Sequence, residues 1–141
     1  MQFVEELFAR GHPNVLGTHR MTFEITRDAE LSRRGNCVIA VNATKGPREM
    51  SIDFKKASMR QGSRITMNLE VSGLFETIRG EGSPDLNFTH QTEMVGRKSS
   101  YPSDRTIMIR ADKAACDLDR RLIDALKSPN ARLTVHIIAE V

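Results

Sequence analysis

Residues 37–71, CVIAVNATKGPREMSIDFKKASMRQGSRITMNLEV, can be laid without a gap on residues 105–139, RTIMIRADKAACDLDRRLIDALKSPNARLTVHIIA. Identities are few, among them Ile39/Ile107, Ala43/Ala111, Lys45/Lys113 and Arg64/Arg132, but the apolar positions coincide at Val41/Ile109, Met50/Leu118, Phe54/Leu122 and Met67/Val135. Upstream, Thr18-His19 falls on Thr89-His90 and Arg27 on Lys98, with a loop three residues longer in the first copy. An internal duplication accounts for the match, with repeats at about 14–71 and 86–141. Such a unit cannot bury its own faces and packs on its twin, commonly about a pseudo-two-fold axis.

Each copy reads strand, strand, helix, strand. The first strand alternates, with Val15, Gly17, His19, Met21, Phe23 and Ile25 on one face; its twin puts Leu86, Phe88, His90, Thr92 and Met94 on one face. CVIAV and TIMI are short and apolar on both faces, as central strands are. A helix of about a dozen residues follows in each copy. Its apolar stripe is Met50, Phe54, Ala57 and Ser58 in the first and Leu118, Leu122, Ala125 and Leu126 in the second. Gly62 and Asn130 stand just past the helices, where a left-handed residue is favoured. The closing strands alternate cleanly through Ile65/Met67/Leu69/Val71 and Leu133/Val135/Ile137. Ser72-Gly73 reads as a hairpin turn leading into an extra strand, LFETIR. The N-terminal Phe3/Val4/Leu7/Phe8 pattern fits a helical stripe better than a strand.

The chain has 141 residues, 39% hydrophobic and 28% charged, with formal net charge +3. That is one soluble globular domain, residues 1–141, long enough to bury roughly two-thirds of its unfolded surface. No apolar run is long enough for a membrane span and no secretory signal opens the chain, so a cytoplasmic protein is expected. Two cysteines, Cys37 and Cys116, make no disulfide framework, and no Cys/His spacing suggests a metal. The expected fold is β-dominated α+β: a two-layer β-sandwich or flattened barrel of two duplicated ββαβ units with two helices. The alternative is a cradle-loop barrel of the double-psi kind.

The runs RGHPNVLGTHRMTFEITRD, RRGNCVIAVNATK and MVGRKSSYPSDRTIMIRADKAACDLDR resemble an archaeal family known as domain of unknown function 371. Its members typically read GHPNV, ATH, TTxEIT, RGDC, ADK, RKS and RT at these places. This chain departs at Gly17, Met21, Asn36 and Thr44, and around Asn42; the Asn36 and Thr44 changes each remove a carboxylate. The resemblance implies an archaeal cytosolic protein with a β-sandwich-like fold, and no activity.

Several residues carry candidate chemistry. His19 and His90, matching positions on matching strands, can meet near a pseudo-dyad and serve as acid or base. Lys45 and Lys113 stand at the helix entrances after Thr44 and Asp112, which read as N-caps. A cation there opposes the helix dipole, by about a few tenths of a kcal/mol, so its recurrence suggests a bound anion. Arg97, Lys98 and Arg105 form the densest basic cluster on a loop, the place where function concentrates. A lone GxG at Gly80–Gly82 reads as a turn, and neither cysteine has a twin to support nucleophilic catalysis.

These groups suit a protein that binds or acts on a phosphate-bearing small molecule in a pseudo-symmetric cleft; the sequence does not identify a cofactor. The alternative is a non-catalytic RNA-binding or interaction module, against which aromatics are only 5%, with one tyrosine and no tryptophan.

Overall fold

Eight strands and two short helices make up the chain: β1 (Gln2–Arg10), β2 (Thr22–Thr26), β3 (Val38–Ala40), α1 (Ile52–Ser58), β4 (Arg64–Val71), β5 (Leu74–Glu81), β6 (Glu93–Arg97), β7 (Thr106–Met108), α2 (Arg120–Ala125) and β8 (Arg132–Glu140). The computed structural model describes all residues, 1–141. Period-two alternation explains the larger sheet. In β4 it sends Ile65, Met67, Leu69 and Val71 inward, and in β8 Leu133, Val135, Ile137 and Ala139, all essentially inaccessible.

The strands form two four-stranded sheets, ordered β1-β8-β4-β5 and β3-β2-β6-β7, packed as layers around one apolar core. Exchanging β1–β4 for β5–β8 reverses each order and leaves it unchanged, so a pseudo-two-fold axis passes through both sheets. Asn68 faces His136 beside that axis on the first sheet, and Glu24 faces Val95 on the second. Only single bridges, Arg10 to Val41 and Glu81 to Ile109, join the sheet corners, so the molecule is a sandwich and not the closed double-psi barrel. Ser72 and Gly73 both take positive φ, 51° and 77°, in the turn joining β4 to β5.

Several local readings need correction. CVIAV and TIMI give β3 and β7, which are the edge strands of the smaller sheet and not central ones. The N-terminal segment is strand β1, not a helix. Its inward positions are Phe3, Glu5, Leu7 and Ala9, and the inward carboxylate of Glu5 hides the alternation. LFETIR is a strand as expected, within β5, but it is the counterpart of β1 and so belongs to the matching halves.

The first strands of the two expected units begin late, at Thr22 and Glu93. Upstream the backbone turns through positive φ at Gly17 (60°) and Phe88 (55°), which a strand cannot accommodate.

The helices have seven and six residues, not a dozen. A 3-10 turn precedes each, Pro47–Glu49 and Ala115–Asp117, and the extended Met50 and Leu118 interrupt the spiral.

The helix N-caps are Ser51 and Asp119, whose side chains accept amides of the first turn. Thr44 and Asp112 instead accept the Phe8 and Arg79 amides from the edge strands. Of the two residues past the helices, Gly62 is left-handed and Asn130 is not.

Candidate functional site

Histidines fix the entrances of β2 and β6. His19 Nδ1 accepts the amides of Met21 and Thr22, both at 3.1 Å, and His90 Nδ1 accepts those of Thr92 (3.2 Å) and Glu93 (2.9 Å). An acceptor Nδ1 places the neutral ring's proton on Nε2. The main chain uses the histidines again from the opposite half: Cys116 donates to the His19 carbonyl and Arg48 to that of His90. Because β2 and β6 run antiparallel with Thr22 opposite Arg97 and Thr26 opposite Glu93, the histidines stand at opposite ends of the pair. A five-residue strand separates them, roughly 14 Å. They do not meet at the axis.

The axis position between them belongs to Glu24. It lies on the outer face of the smaller sheet yet is only 7% exposed, because the connecting segments close over it through Cys37 and Arg105. These two residues precede β3 and β7 and are pseudo-symmetric counterparts. The Cys37 thiol donates to Glu24 Oε1 at 3.8 Å, and Arg105 approaches the same oxygen at 3.7 Å. Arg105 donates to Glu93 Oε1 at 2.6 Å, and Glu93 lies 3.6 Å from His90 Nε2. On the other side, the Thr22 hydroxyl lies 3.0 Å from His19 Nδ1. A chain of polar side chains thus runs from Cys37 across the axis to His90, with the Thr22–His19 pair at the opposite end. The halves differ here: Thr22 and Cys37 on one side stand where Glu93 and Arg105 stand on the other.

Burial pushes the Glu24 carboxyl up to about 7, and the negative charge of Glu93 reinforces the shift against the opposing pull of Arg105. Burial and then the nearby Glu24 charge push the Cys37 thiol up, so it is a thiol at neutral pH. Arg97, opposite Thr22, donates to the hydroxyls of Thr106 (2.9 Å) and Ser103 (3.2 Å) and lies over the Tyr101 ring. It has no carboxylate partner. Burial and then the neighbouring Arg105 charge lower its pKa.

The other basic residues singled out from sequence sit elsewhere. Lys45 donates to Glu5 Oε2 at 2.7 Å, and Lys113 bonds Glu76 and the Thr77 carbonyl (3.0 Å). Each lysine is tied to an inward carboxylate on an edge strand of the larger sheet. Lys98 pairs with Asp117 at 2.7 Å, and this partner raises its pKa. Sequence reasoning missed Glu24, Glu93 and the link from Cys37 to them. The sequence shows only a glutamate within the run TFEIT where the second half has Val95, and nothing there marks it as buried. The largest cavity, about 400 Å³, lies at the other end of the axis. Its polar groups largely satisfy one another, Thr77 on Asn68 (2.8 Å), His136 on Glu6 and Glu76 on Lys113.

The fold and this cluster define a two-sheet protein of two matching halves with a buried acid at their junction. The chain belongs to the family described as domain of unknown function (DUF371), which it matches over residues 7–140. It is 42% identical over 127 residues to an uncharacterised protein of Methanocaldococcus jannaschii, covering 90% of this chain and 92% of that one.

Proposed function

We propose that this protein binds a small phosphate-bearing molecule against the outer face of β2 and β6, and that Glu24 exchanges a proton with it. The observation that carries the reading is Glu24: a carboxyl buried on the pseudo-dyad, titrating at about 7, beside two arginines. A group with that pKa gives and takes protons readily at neutral pH. Arg97, free of any carboxylate, and Arg105, which is 38% exposed, supply cationic donors for phosphate oxygens. His19 keeps Nε2 available at one end, while His90 Nε2 faces Glu93 at the other. Lys45 and Lys113 bear on the anion only through the fold they hold. The matching contacts of the halves fit an origin by duplication, and two free cysteines fit a reducing cytoplasm.

The test is an amide NMR titration with glycerol 2-phosphate at constant ionic strength. Saturable shifts centred on Thr22, Cys37, Arg97 and Arg105, lost in Arg97→Gln, support the reading. Unperturbed signals there overturn it. Shifts with a single-stranded oligoribonucleotide alone would transfer the same arginines to RNA binding.

A further inference from the structure

The pseudo-symmetry supplies an internal comparison at the outer corners of the larger sheet. In the second half, Glu81 of β5 lies directly opposite Arg64 of β4, and Arg110 pairs with Glu81 at 3.1 Å. Asp112 beside them accepts the Arg79 amide. The corner carries its own counter-charges.

The first half has the same backbone and different charges. Arg10 of β1 lies directly opposite Arg132 of β8, where the twin corner has Glu81 and Arg64. Asn42 replaces Arg110 in the same left-handed conformation, φ 54° against 49°. Thr44 replaces Asp112 and accepts the Phe8 amide as Asp112 accepts that of Arg79. Both carboxylates are gone from this corner. Like charges directly opposite across an antiparallel pair destabilise a sheet. Neither arginine makes an ion pair: Arg10 reaches only the Asn130 carbonyl at 3.4 Å, and Arg132 lies over the Phe8 ring at 3.9 Å.

A cavity of about 290 Å³ opens between these residues, lined by Phe8, Arg10, Asn42, Thr44 and Arg132 with no carboxylate among them. The Thr44 hydroxyl keeps its proton to donate, since its oxygen accepts from Phe8. The Asn42 amide and two guanidinium groups add further donors. Converging donors with uncompensated positive charge are what a tetrahedral oxyanion requires.

We propose that this corner is a second binding site, for the phosphate group of a small molecule, separate from the Glu24 cluster. An anion between Arg10 and Arg132 supplies the counter-charge that Glu81 gives the twin corner.

Arg10→Glu tests the proposal because it rebuilds the twin's opposite-charge pair and so preserves the fold. The wild type and the variant are titrated with inorganic phosphate against chloride at matched ionic strength, following amide shifts and melting temperature. The expected wild-type result is saturable shifts at Phe8, Asn42, Thr44 and Arg132. In Arg10→Glu these weaken at least tenfold, while the melting temperature without phosphate is equal or higher. Arg97→Gln leaves these shifts intact, which separates this site from the Glu24 cluster. Equal phosphate responses in the wild type and Arg10→Glu would overturn the proposal. So would the absence of shifts at this corner, or shifts with an oligonucleotide and none with phosphate.

Discussion

Glu5 and Glu76 do the same work in the two halves. Each is an inward carboxylate on an edge strand, bound by a lysine, Lys45 or Lys113, and by the amide of a helix N-cap residue, Ser51 or Asp119. Burial alone would raise both pKa values. The lysine and then the backbone amide outweigh it and hold both below the ordinary carboxylate range.

The consequence is a pair of acid-labile joints between sheet and helix. A depressed folded-state pKa contributes stability that is present above the unfolded value and lost as pH falls through the folded one. Glu5→Gln and Glu76→Gln each remove a charge-assisted acceptor and should cost about 1.5–3 kcal/mol at pH 7. Urea melts should show that cost shrinking below pH 4.5, as the wild type loses the same charge. A cost independent of pH would mean the carboxylate charge is not what matters.

Glu24 has the opposite linkage. Its pKa is raised from 4.5 to about 7, so the native state binds the proton more tightly than the unfolded chain. This stabilisation is complete below pH 4.5 and is lost as pH rises to 7. Raising the carboxyl from 4.5 to about 7 corresponds to on the order of 3 kcal/mol. Glu24→Gln keeps the shape and abolishes the titration. The difference in unfolding free energy between the two proteins should therefore move in favour of the variant between pH 5 and 8. A constant difference across that range would place Glu24 in an ordinary, solvated environment.

Much of this architecture was legible in the sequence, and the gaps have physical causes. β4 and β8 read correctly because one face meets the core and the other meets water. β1 was misread because its inward Glu5 breaks the apolar alternation, and the partner that makes the acid tolerable is forty residues away. The helices were overestimated because apolar spacing runs on through Met50 and Leu118, which are buried in extended conformation. His19, His90, Arg97 and Arg105 were visible as candidates through their repetition or their density. Glu24 was not, because its significance comes from the axis, which exists only after the halves pack.

Packing of the second helix gives a further expectation. Leu122 is fully buried at the centre of α2. Leu122→Ala removes that contact and leaves a cavity, costing about 2–5 kcal/mol in urea melts. A loss well under 1 kcal/mol would show that α2 contributes little to the core.

The last expectation concerns the coupling of Glu24 to its neighbours. Glu93 raises the Glu24 pKa by like-charge repulsion, while Arg105 lowers it by attraction. Glu93→Gln should therefore move the Glu24 midpoint below 7 and Arg105→Gln should move it above 7. Both residues are partly exposed, so the substitutions leave the core intact. The midpoint is readable from the side-chain carboxyl carbon of Glu24 by NMR across pH 4 to 9. The Cys37 thiol provides an independent reporter. Ionised Glu24 helps to keep that thiol protonated, so Glu24→Gln should lower the thiol pKa and speed alkylation at pH 8. Opposite movements in the two neighbour variants, together with faster alkylation in Glu24→Gln, would establish one electrostatic unit across the pseudo-dyad. Unmoved midpoints would leave Glu24 raised by burial alone.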